Sequence, residues 1–128
     1  MKQKIYLLMI FIVGLINFLP VFGLLSAAQL SQAYGIELSS NELEVLMRHR
    51  ALLFGILGGF VFYSLFKPTL RVPALVMTGV SMIGFLLLWW IVGDVNDELI
   101  KIAVVDVVGI FCLMVAFVLK YLINKDQV

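Results

Sequence analysis

The sequence predicts an all-α, polytopic membrane protein: an antiparallel bundle of four transmembrane helices that forms a single domain of 128 residues. Three observations lead to this fold class. The composition is 63% hydrophobic with a mean hydropathy of +1.13, which is more apolar side chain than a soluble domain of this size can bury. Four apolar runs are long enough to cross a bilayer, which takes about 20 residues. The links between the last three runs are short, as in an up-down bundle.

The four predicted spans follow one another along the chain, with one longer polar stretch between the first two. Within that stretch, residues 26 to 44, Ser39 is followed by Glu42 in a capping-box pattern. This pattern predicts a helix that begins near residue 40, outside the membrane, and continues into the second span. We therefore expect a short extracytoplasmic helical extension before that span. The predicted spans cover approximately residues 5–25, 47–66, 72–92 and 99–123.

The first run also has features of a secretory signal. Lys2 and Lys4 precede it, and the small residues Ser26 to Ala28 resemble a cleavage site. Its apolar length exceeds the core of about 7 to 15 residues that is usual in such signals. We therefore expect the run to be retained as a span; cleavage would leave three spans with the chain ends on opposite sides.

The basic and acidic residues of the loops are distributed unevenly. The two chain ends and the link between spans two and three carry Lys2, Lys4, Lys67, Arg71, Lys120 and Lys125. The other loops carry the carboxylates of Glu37, Glu42, Glu44, Asp94, Asp97 and Glu98. Because Lys and Arg concentrate on the cytoplasmic side, we expect a bacterial inner-membrane protein with both termini in the cytoplasm. Arg48 and Arg50, at the outer entrance of the second span, are the exception to this rule.

This exception belongs to a polar cluster that we predict in the outer half of the bundle. At about 1.5 Å of rise per residue, Asp106 lies roughly 10 Å and Asn17 roughly 12 Å below the outer ends of their spans. A carboxylate at this depth is costly unless it faces a partner or a wet cavity. Arg50 is the preferred partner, because a guanidinium can hold a carboxylate through two hydrogen bonds, and His49 is the next candidate. The predicted cluster, with the aromatic residues that close span three, is Asn17, Arg48, His49, Arg50, Trp89, Trp90 and Asp106.

Three interpretations of this cluster are open from the sequence. In the first, Asp106 and a basic residue form a buried pair that fixes the rotation of the helices, with Asn17 hydrogen-bonding across the interface. In the second, the cluster lines an outward-facing intramembrane pocket that binds the polar head of a lipid, quinone or other amphipathic molecule. In the third, His49 carries protons in catalysis. The first interpretation carries the most weight from the sequence; as a function we favour the second, and we assign no catalytic residue.

Small residues along the second span predict close packing against another helix. Ala51, Gly55 and Gly59 recur every four residues, and the fourth span carries a shorter face of small residues at Ala103 and Gly109. We expect these two faces to meet inside the bundle, with a homodimer seam as the alternative. The stripe also supports an alternative function, a non-catalytic accessory or scaffold subunit of a larger membrane complex.

Several functional classes are not supported by the residues present. The net charge is +1 without a basic stripe, so we expect membrane lipids and no nucleic acid as partners. Cys112 is the single cysteine, which excludes paired-cysteine redox chemistry and favours a buried packing role. A bis-histidine haem is disfavoured because His49 is alone. The first span has Asn17 as its strongly polar group, without the glutamate of small multidrug transporters. We predict no metal and no cofactor.

Two segments carry a resemblance to a known group of proteins. The segment MRHRALLFGILGGFVFYSLFKPTLR at 47–71, followed by a third span and then VVDVVGIF at 104–111, resembles a group of uncharacterised small bacterial membrane proteins. The resemblance covers most of spans two to four and implies a four-helix fold in the inner membrane. Some members carry the label phosphopantetheine adenylyltransferase, but the Gly-His phosphate motif of that soluble enzyme does not occur in this sequence. The group is also distantly similar to the four-helix DoxX-like membrane proteins.

Overall fold

A computed structural model of the chain describes residues 1–127 and shows an all-α, multi-pass membrane protein. Its α-helices are α1 (Lys2–Phe18), α2 (Ala27–Tyr34), α3 (Asn41–Phe66), α4 (Arg71–Val92) and α5 (Asp97–Asp126). Two 3-10 helices, Leu19–Leu24 and Pro68–Leu70, extend α1 and precede α4. The four long helices are apolar enough to cross a membrane, and they coincide with the predicted spans to within a few residues at most ends. The predicted fold class is therefore confirmed.

The predicted extension before the second span is present, because α3 begins at Asn41. The capping residue is Ser40, whose hydroxyl oxygen accepts a hydrogen bond from the Leu43 amide at 3.2 Å. The prediction that Ser39 caps this helix was wrong by one residue. With the cap at Ser40, both Glu42 and Glu44 fall in the first turn, where carboxylates interact favourably with the helix dipole.

The helix α2 was not predicted from the sequence. Its N-cap is Ser26, whose hydroxyl accepts a hydrogen bond from the Gln29 amide at 3.4 Å. It ends at Gly35, which has φ +61°, a left-handed conformation that glycine adopts at little cost. The small residues that resembled a cleavage site thus form the start of a helix, which packs against α3, α5 and the 3-10 extension of α1.

The long helices are arranged as a rhombus in cross-section. The most extensive contacts are those of α1 with α3 and with α5, and α4 also packs against α3 and α5. The helices α1 and α4 touch across the middle of the bundle, whereas no close approach joins α3 to α5 in residues 1–127. The long diagonal of the rhombus therefore runs from α3 to α5. A salt bridge of 2.8 Å between Lys2 and Asp126 places the start of α1 beside the end of α5.

Two separate hydrophobic clusters form the interior. The larger cluster holds the four long helices together and consists of Tyr6, Ile10, Val13, Val61, Ala74, Leu75, Met82, Cys112, Leu113 and Ala116. Cys112 is buried there, which confirms its expected packing role. The smaller cluster lies beneath α2 and is built from Leu30, Tyr34 and Ala51. We refer to this part of the molecule as the α2 end of the bundle.

Part of the small-residue stripe of α3, together with the adjacent Gly58, packs against the end of α1 and its 3-10 extension. A Cβ atom on Gly58 would lie 2.5 Å from the backbone nitrogen of Phe18, and one on Gly55 would collide with the side chain of Val21. Ala51 is 1% exposed. At Gly59, in contrast, an added Cβ would meet nothing within 4 Å.

The prediction that this stripe meets the small residues of the fourth span was wrong. Gly109 packs against Met82 of α4 and Ile16 of α1, and Ala103 is buried. Because α1 and α4 occupy the centre of the rhombus, each small-residue face meets one of these two helices. The stripe identifies the close-packed face of a helix, but it does not specify the neighbour that the face contacts.

Candidate functional site

A cavity of about 410 Å³ lies at the α2 end, and Leu30 and Tyr34 of the smaller hydrophobic cluster line it. Small-molecule pockets in proteins commonly have volumes of about 300 to 1,000 Å³. Its walls come from α1 and its 3-10 extension, from α2, from α3 and from α5. The lining residues Leu19, Phe22 and Val105 are also exposed on the side of the bundle. The cavity therefore has an exposed apolar rim on the side of the bundle.

The 3-10 extension of α1 gives the cavity its shape. Pro20 lacks a backbone amide and cannot continue the α-helical hydrogen-bond pattern, so the chain changes to a 3-10 helix at this point. Three residues later, Gly23 leaves space that the side chain of Leu30 fills, because a Cβ at this position would collide with it. This contact lets α2 fold back over the end of α1 and close the cavity from above.

Arg50 forms the wall between this cavity and a second apolar pocket of about 290 Å³. Its guanidinium carbon lies 4.9 Å from the ring centre of Tyr34, 5.1 Å from that of Phe54 and 5.8 Å from that of Phe85. These distances allow cation–π attraction, which is strongest where water is excluded. Within residues 1–127, no carboxylate oxygen lies within 4.0 Å of this guanidinium, and it donates no hydrogen bond to another residue.

Asp106 lines the same cavity on α5, the helix at the other end of the long diagonal. Its side chain makes neither a salt bridge nor a hydrogen bond to any residue in the described part of the chain. The rhombus explains this separation, because α3 and α5 do not approach one another. The predicted pairing partners are thus placed on one cavity without touching.

Asn17 also lines the cavity and is 2% exposed. Its amide nitrogen donates a hydrogen bond to the carbonyl of Val13 at 2.9 Å and lies 3.8 Å from the sulfur of Met82. The side chain therefore hydrogen-bonds to its own helix and contacts α4, and it does not reach Asp106. The expected hydrogen bond from Asn17 across a helix interface is therefore present only as the weak contact with the sulfur of Met82.

The other members of the predicted cluster lie outside the main cavity. Arg48 forms an ion pair of 3.2 Å with Glu44, one turn earlier on α3, and His49 is exposed. Trp89 lines the second pocket beside Arg50, whereas Trp90 is 79% exposed. The structure thus brings Asn17, Arg50 and Asp106 to one cavity and places Trp89 in the second pocket beside Arg50. The other three members of the predicted cluster lie on the surface.

Sequence reasoning missed the contribution of α2 and of the first turns of α5. Tyr34 and Gln29 of α2 line the cavity, as do Glu98 and Lys101 of α5. Glu98 and Lys101 form an ion pair of 2.8 Å, so their charges compensate one another. The signals for α2 were present in the sequence, as a serine followed after eight residues by a glycine cap.

Asn96 holds α2 against the start of α5. Its side-chain nitrogen donates hydrogen bonds of 2.9 Å to the carbonyls of Tyr34 and Gly35. Its side-chain oxygen accepts a hydrogen bond of 2.9 Å from the Leu99 amide, which caps α5. One side chain therefore fixes two walls of the cavity relative to each other.

In the part of the chain that the structure describes, no three His, Cys, Asp or Glu side chains come together as a metal site would require. Comparisons of the chain with protein-family models, with curated proteins and with solved structures find no match. The functional interpretation therefore depends on the geometry of the cavity and on the charges that line it.

Proposed function

We propose that this protein binds a lipid, quinone or other amphipathic molecule in the cavity at the α2 end. One observation carries the proposal: a largely apolar cavity with an exposed apolar rim contains the guanidinium of Arg50 and the carboxylate of Asp106, and neither forms an ion pair in residues 1–127. Specific small-molecule sites combine apolar walls with a few polar groups that fix the orientation of the ligand. An amphipathic molecule can enter from the hydrocarbon with its apolar part against Leu19 and Phe22 and its polar part against Arg50.

The three rings around Arg50 support this role. They hold the guanidinium in place by cation–π attraction but leave its N–H groups available for oxygen atoms of a ligand. A guanidinium that is already ordered loses little conformational entropy when a ligand binds. Phosphate, carboxylate and carbonyl oxygens are all suitable acceptors for these donors.

Gentle purification followed by mass spectrometry tests the proposal. We expect the wild-type protein to retain an amphipathic molecule and Arg50→Ala to lose it. Arg48→Ala is the matched control, because Arg48 has the same chemistry two residues earlier but pairs with Glu44 outside the cavity. Retention of nothing, or equal retention by Arg50→Ala and wild type, would contradict the proposal.

We further propose that the protein resides in a bacterial inner membrane with both termini in the cytoplasm, which places the cavity toward the outer leaflet. The Lys and Arg residues at the chain ends and between α3 and α4 support this orientation. In a Cys112→Ser background, we expect a membrane-impermeant maleimide applied to spheroplasts to label Asn41→Cys and not Gln3→Cys; both positions are exposed. Preferential labelling of Gln3→Cys would show the opposite orientation.

A second candidate function, that of an accessory subunit, is supported by an exposed face of α3. Gly59 leaves open space on this face, and Leu52, Ile56 and Tyr63 beside it are exposed. Small residues on a lipid-facing surface let a second helix approach closely. Gly55 cannot test this idea, because it packs inside the bundle against Val21.

The test of the accessory function is a crosslink from the exposed face. A photoreactive group at Ile56 should capture one specific membrane protein or a second copy of the chain, and Gly59→Leu should abolish the crosslink. Gly84→Leu is the control, because Gly84 on α4 also has open space at its Cβ position. Loss of the crosslink in both variants, or in neither, would contradict a specific contact at Gly59.

A further inference from the structure

We propose that the occupant of the cavity is a zwitterionic lipid with a primary ammonium group, oriented with its phosphate at Arg50 and its ammonium at Asp106. This inference rests on the proposed function and specifies the chemical class of the ligand. It follows from the charges on the cavity wall, from the absence of an ion pair between Arg50 and Asp106, and from the exposed apolar rim of the cavity.

The cavity is lined by four charged side chains, of which two compensate one another. Glu98 and Lys101 form a direct ion pair of 2.8 Å near the start of α5. Arg50 and Asp106 remain, and each lacks an oppositely charged partner within 4.0 Å in residues 1–127. An uncompensated charge within the membrane is costly, so both groups favour an occupant that brings the opposite charge to each of them.

Two opposite charges on one cavity that form no ion pair with each other favour a ligand that carries both signs. A purely anionic headgroup can bind Arg50 but leaves Asp106 unpaired and repels it. A quinone offers oxygen acceptors, which suit the N–H groups of Arg50, but it has no donor for the carboxylate. A zwitterion with an ammonium group satisfies both walls at once, since the ammonium supplies up to three N–H donors.

The type of cation is also restricted. A quaternary ammonium group has no N–H donor, and proteins usually bind it in an open cage of aromatic rings. Here the rings of Tyr34, Phe54 and Phe85 surround the guanidinium of Arg50 instead. Asp106, a hydrogen-bond acceptor, is the group left to bind the cation, and it favours a primary ammonium.

The exposed apolar rim of the cavity favours a lipid over a soluble zwitterion. Leu19, Phe22 and Val105 line the cavity and are exposed on the side of the bundle. Acyl chains can therefore lie along this apolar rim while the headgroup occupies the polar part of the cavity. A soluble molecule gains nothing from these contacts.

Selectivity among defined lipids tests the inference. Purified protein is equilibrated with vesicles that contain equal amounts of phosphatidylethanolamine, phosphatidylglycerol and phosphatidylcholine with identical acyl chains, then extracted in mild detergent for native mass spectrometry. We expect phosphatidylethanolamine to be enriched about ten-fold over each of the other two, the factor expected for one hydrogen bond to a charged group. Soluble glycerophosphoethanolamine at the same concentration should not displace it, and displacement would overturn the assignment of a lipid.

Two near-isosteric variants test which part of the lipid headgroup Asp106 and Arg50 each bind. Asp106→Asn should still retain lipid but reduce the preference for phosphatidylethanolamine over phosphatidylglycerol to about one. Arg50→Gln should lose all three lipids, and Arg48→Gln should behave as wild type. The ratio measured on the wild type needs no variant, so it remains decisive if a substitution impairs folding.

The outcomes separate this inference from the proposed function. Equal retention of the three lipids by the wild type, lost in Arg50→Gln, would overturn the headgroup class and leave the binding function in place. Absence of retained lipid in the wild type would overturn both. An undiminished preference for phosphatidylethanolamine in Asp106→Asn would overturn the assigned orientation.

Discussion

Replacing Gly58 by alanine tests the contact that sets the position of α1 beside α3. A Cβ at this position would lie 2.5 Å from the backbone nitrogen of Phe18 and 2.6 Å from its Cα, well inside the 3.4 Å at which ordinary contact begins. Backbone atoms cannot rotate away, so α1 must move by at least 0.5 Å to restore the 3.0 Å below which such contacts are essentially never seen. At Gly59, the same substitution meets nothing within 4 Å. The two adjacent glycines therefore form a matched pair.

The comparison isolates the cost of the steric conflict. In a helix interior, alanine is favoured over glycine by about 1 kcal/mol through backbone entropy. Overpacking a well-packed interior costs about 1 to 3 kcal/mol. Because Gly58 and Gly59 are neighbours in the middle of α3, the helix-propensity gain is the same for both and cancels. We expect Gly58→Ala to be less stable than Gly59→Ala by about 1 to 3 kcal/mol.

Equilibrium unfolding in mixed micelles, followed by helical circular dichroism, provides the assay. Gly109→Ala is a third variant with an expected loss smaller than that of Gly58→Ala, because its Cβ would meet the sulfur of Met82, which belongs to a flexible side chain. Displacement of Phe18 also shifts the adjacent Asn17 in the cavity wall, so Gly58→Ala should retain less lipid. Equal stability of Gly58→Ala and Gly59→Ala would refute the close approach of α1 to α3.

Three further predictions concern contacts that hold the helix ends. Asn96→Ala should lower the free energy of unfolding by about 2 to 3 kcal/mol, because it removes the cap of α5 and two hydrogen bonds to α2. Ser40→Ala removes only a helix cap and should lower the free energy of unfolding by about 1 kcal/mol. Equal losses would contradict the hydrogen bonds that join α2 to α5. The guanidinium of Arg71 donates to two carbonyls in the last turn of α3, at 3.2 and 2.9 Å. Arg71→Lys should therefore speed amide hydrogen exchange in this last turn of α3, and unchanged exchange would argue against this cap. Lys2→Ala should change the free energy of unfolding by less than about 1 kcal/mol, since the ion pair of Lys2 with Asp126 is largely exposed. A larger loss that does not depend on salt concentration would be inconsistent with a surface ion pair.

The spans could be predicted from the sequence because hydropathy depends on the composition of one continuous run. The start of α3 could be predicted to within a residue, because capping signals act over a single turn. The α2 helix is eight residues long and follows a polar pattern, so neither hydropathy nor length distinguishes it from a loop. The signals that identify this helix are its two caps, Ser26 at the start and Gly35 at the end, taken together.

The sequence predicted how deep the residues of the candidate site lie in the membrane, but not which of their side chains face one another. Counting residues from the span ends gave Asn17 and Asp106 similar depths, with Arg50 nearer the outer end of its span, and the structure places all three on one cavity. Helical periodicity also requires that consecutive residues point in different directions, so Arg48, His49 and Arg50 could not all face inward. Which of them does so depends on the neighbours of α3, and a single helix does not contain this information.

The arrangement of the four helices explains why a cavity forms between Arg50 and Asp106. Gly58 lets α3 approach α1 closely, and Gly109 lets α5 approach Met82 of α4, so the central helices α1 and α4 hold α3 and α5 apart. A shift of α3 toward α5 that brings Arg50 closer to Asp106 would disrupt these close contacts. Interiors are packed too densely for such a shift to be inexpensive. The same packing that stabilises the bundle therefore keeps its two unpaired charges separate, and their electrostatic attraction remains available to a ligand that carries both signs.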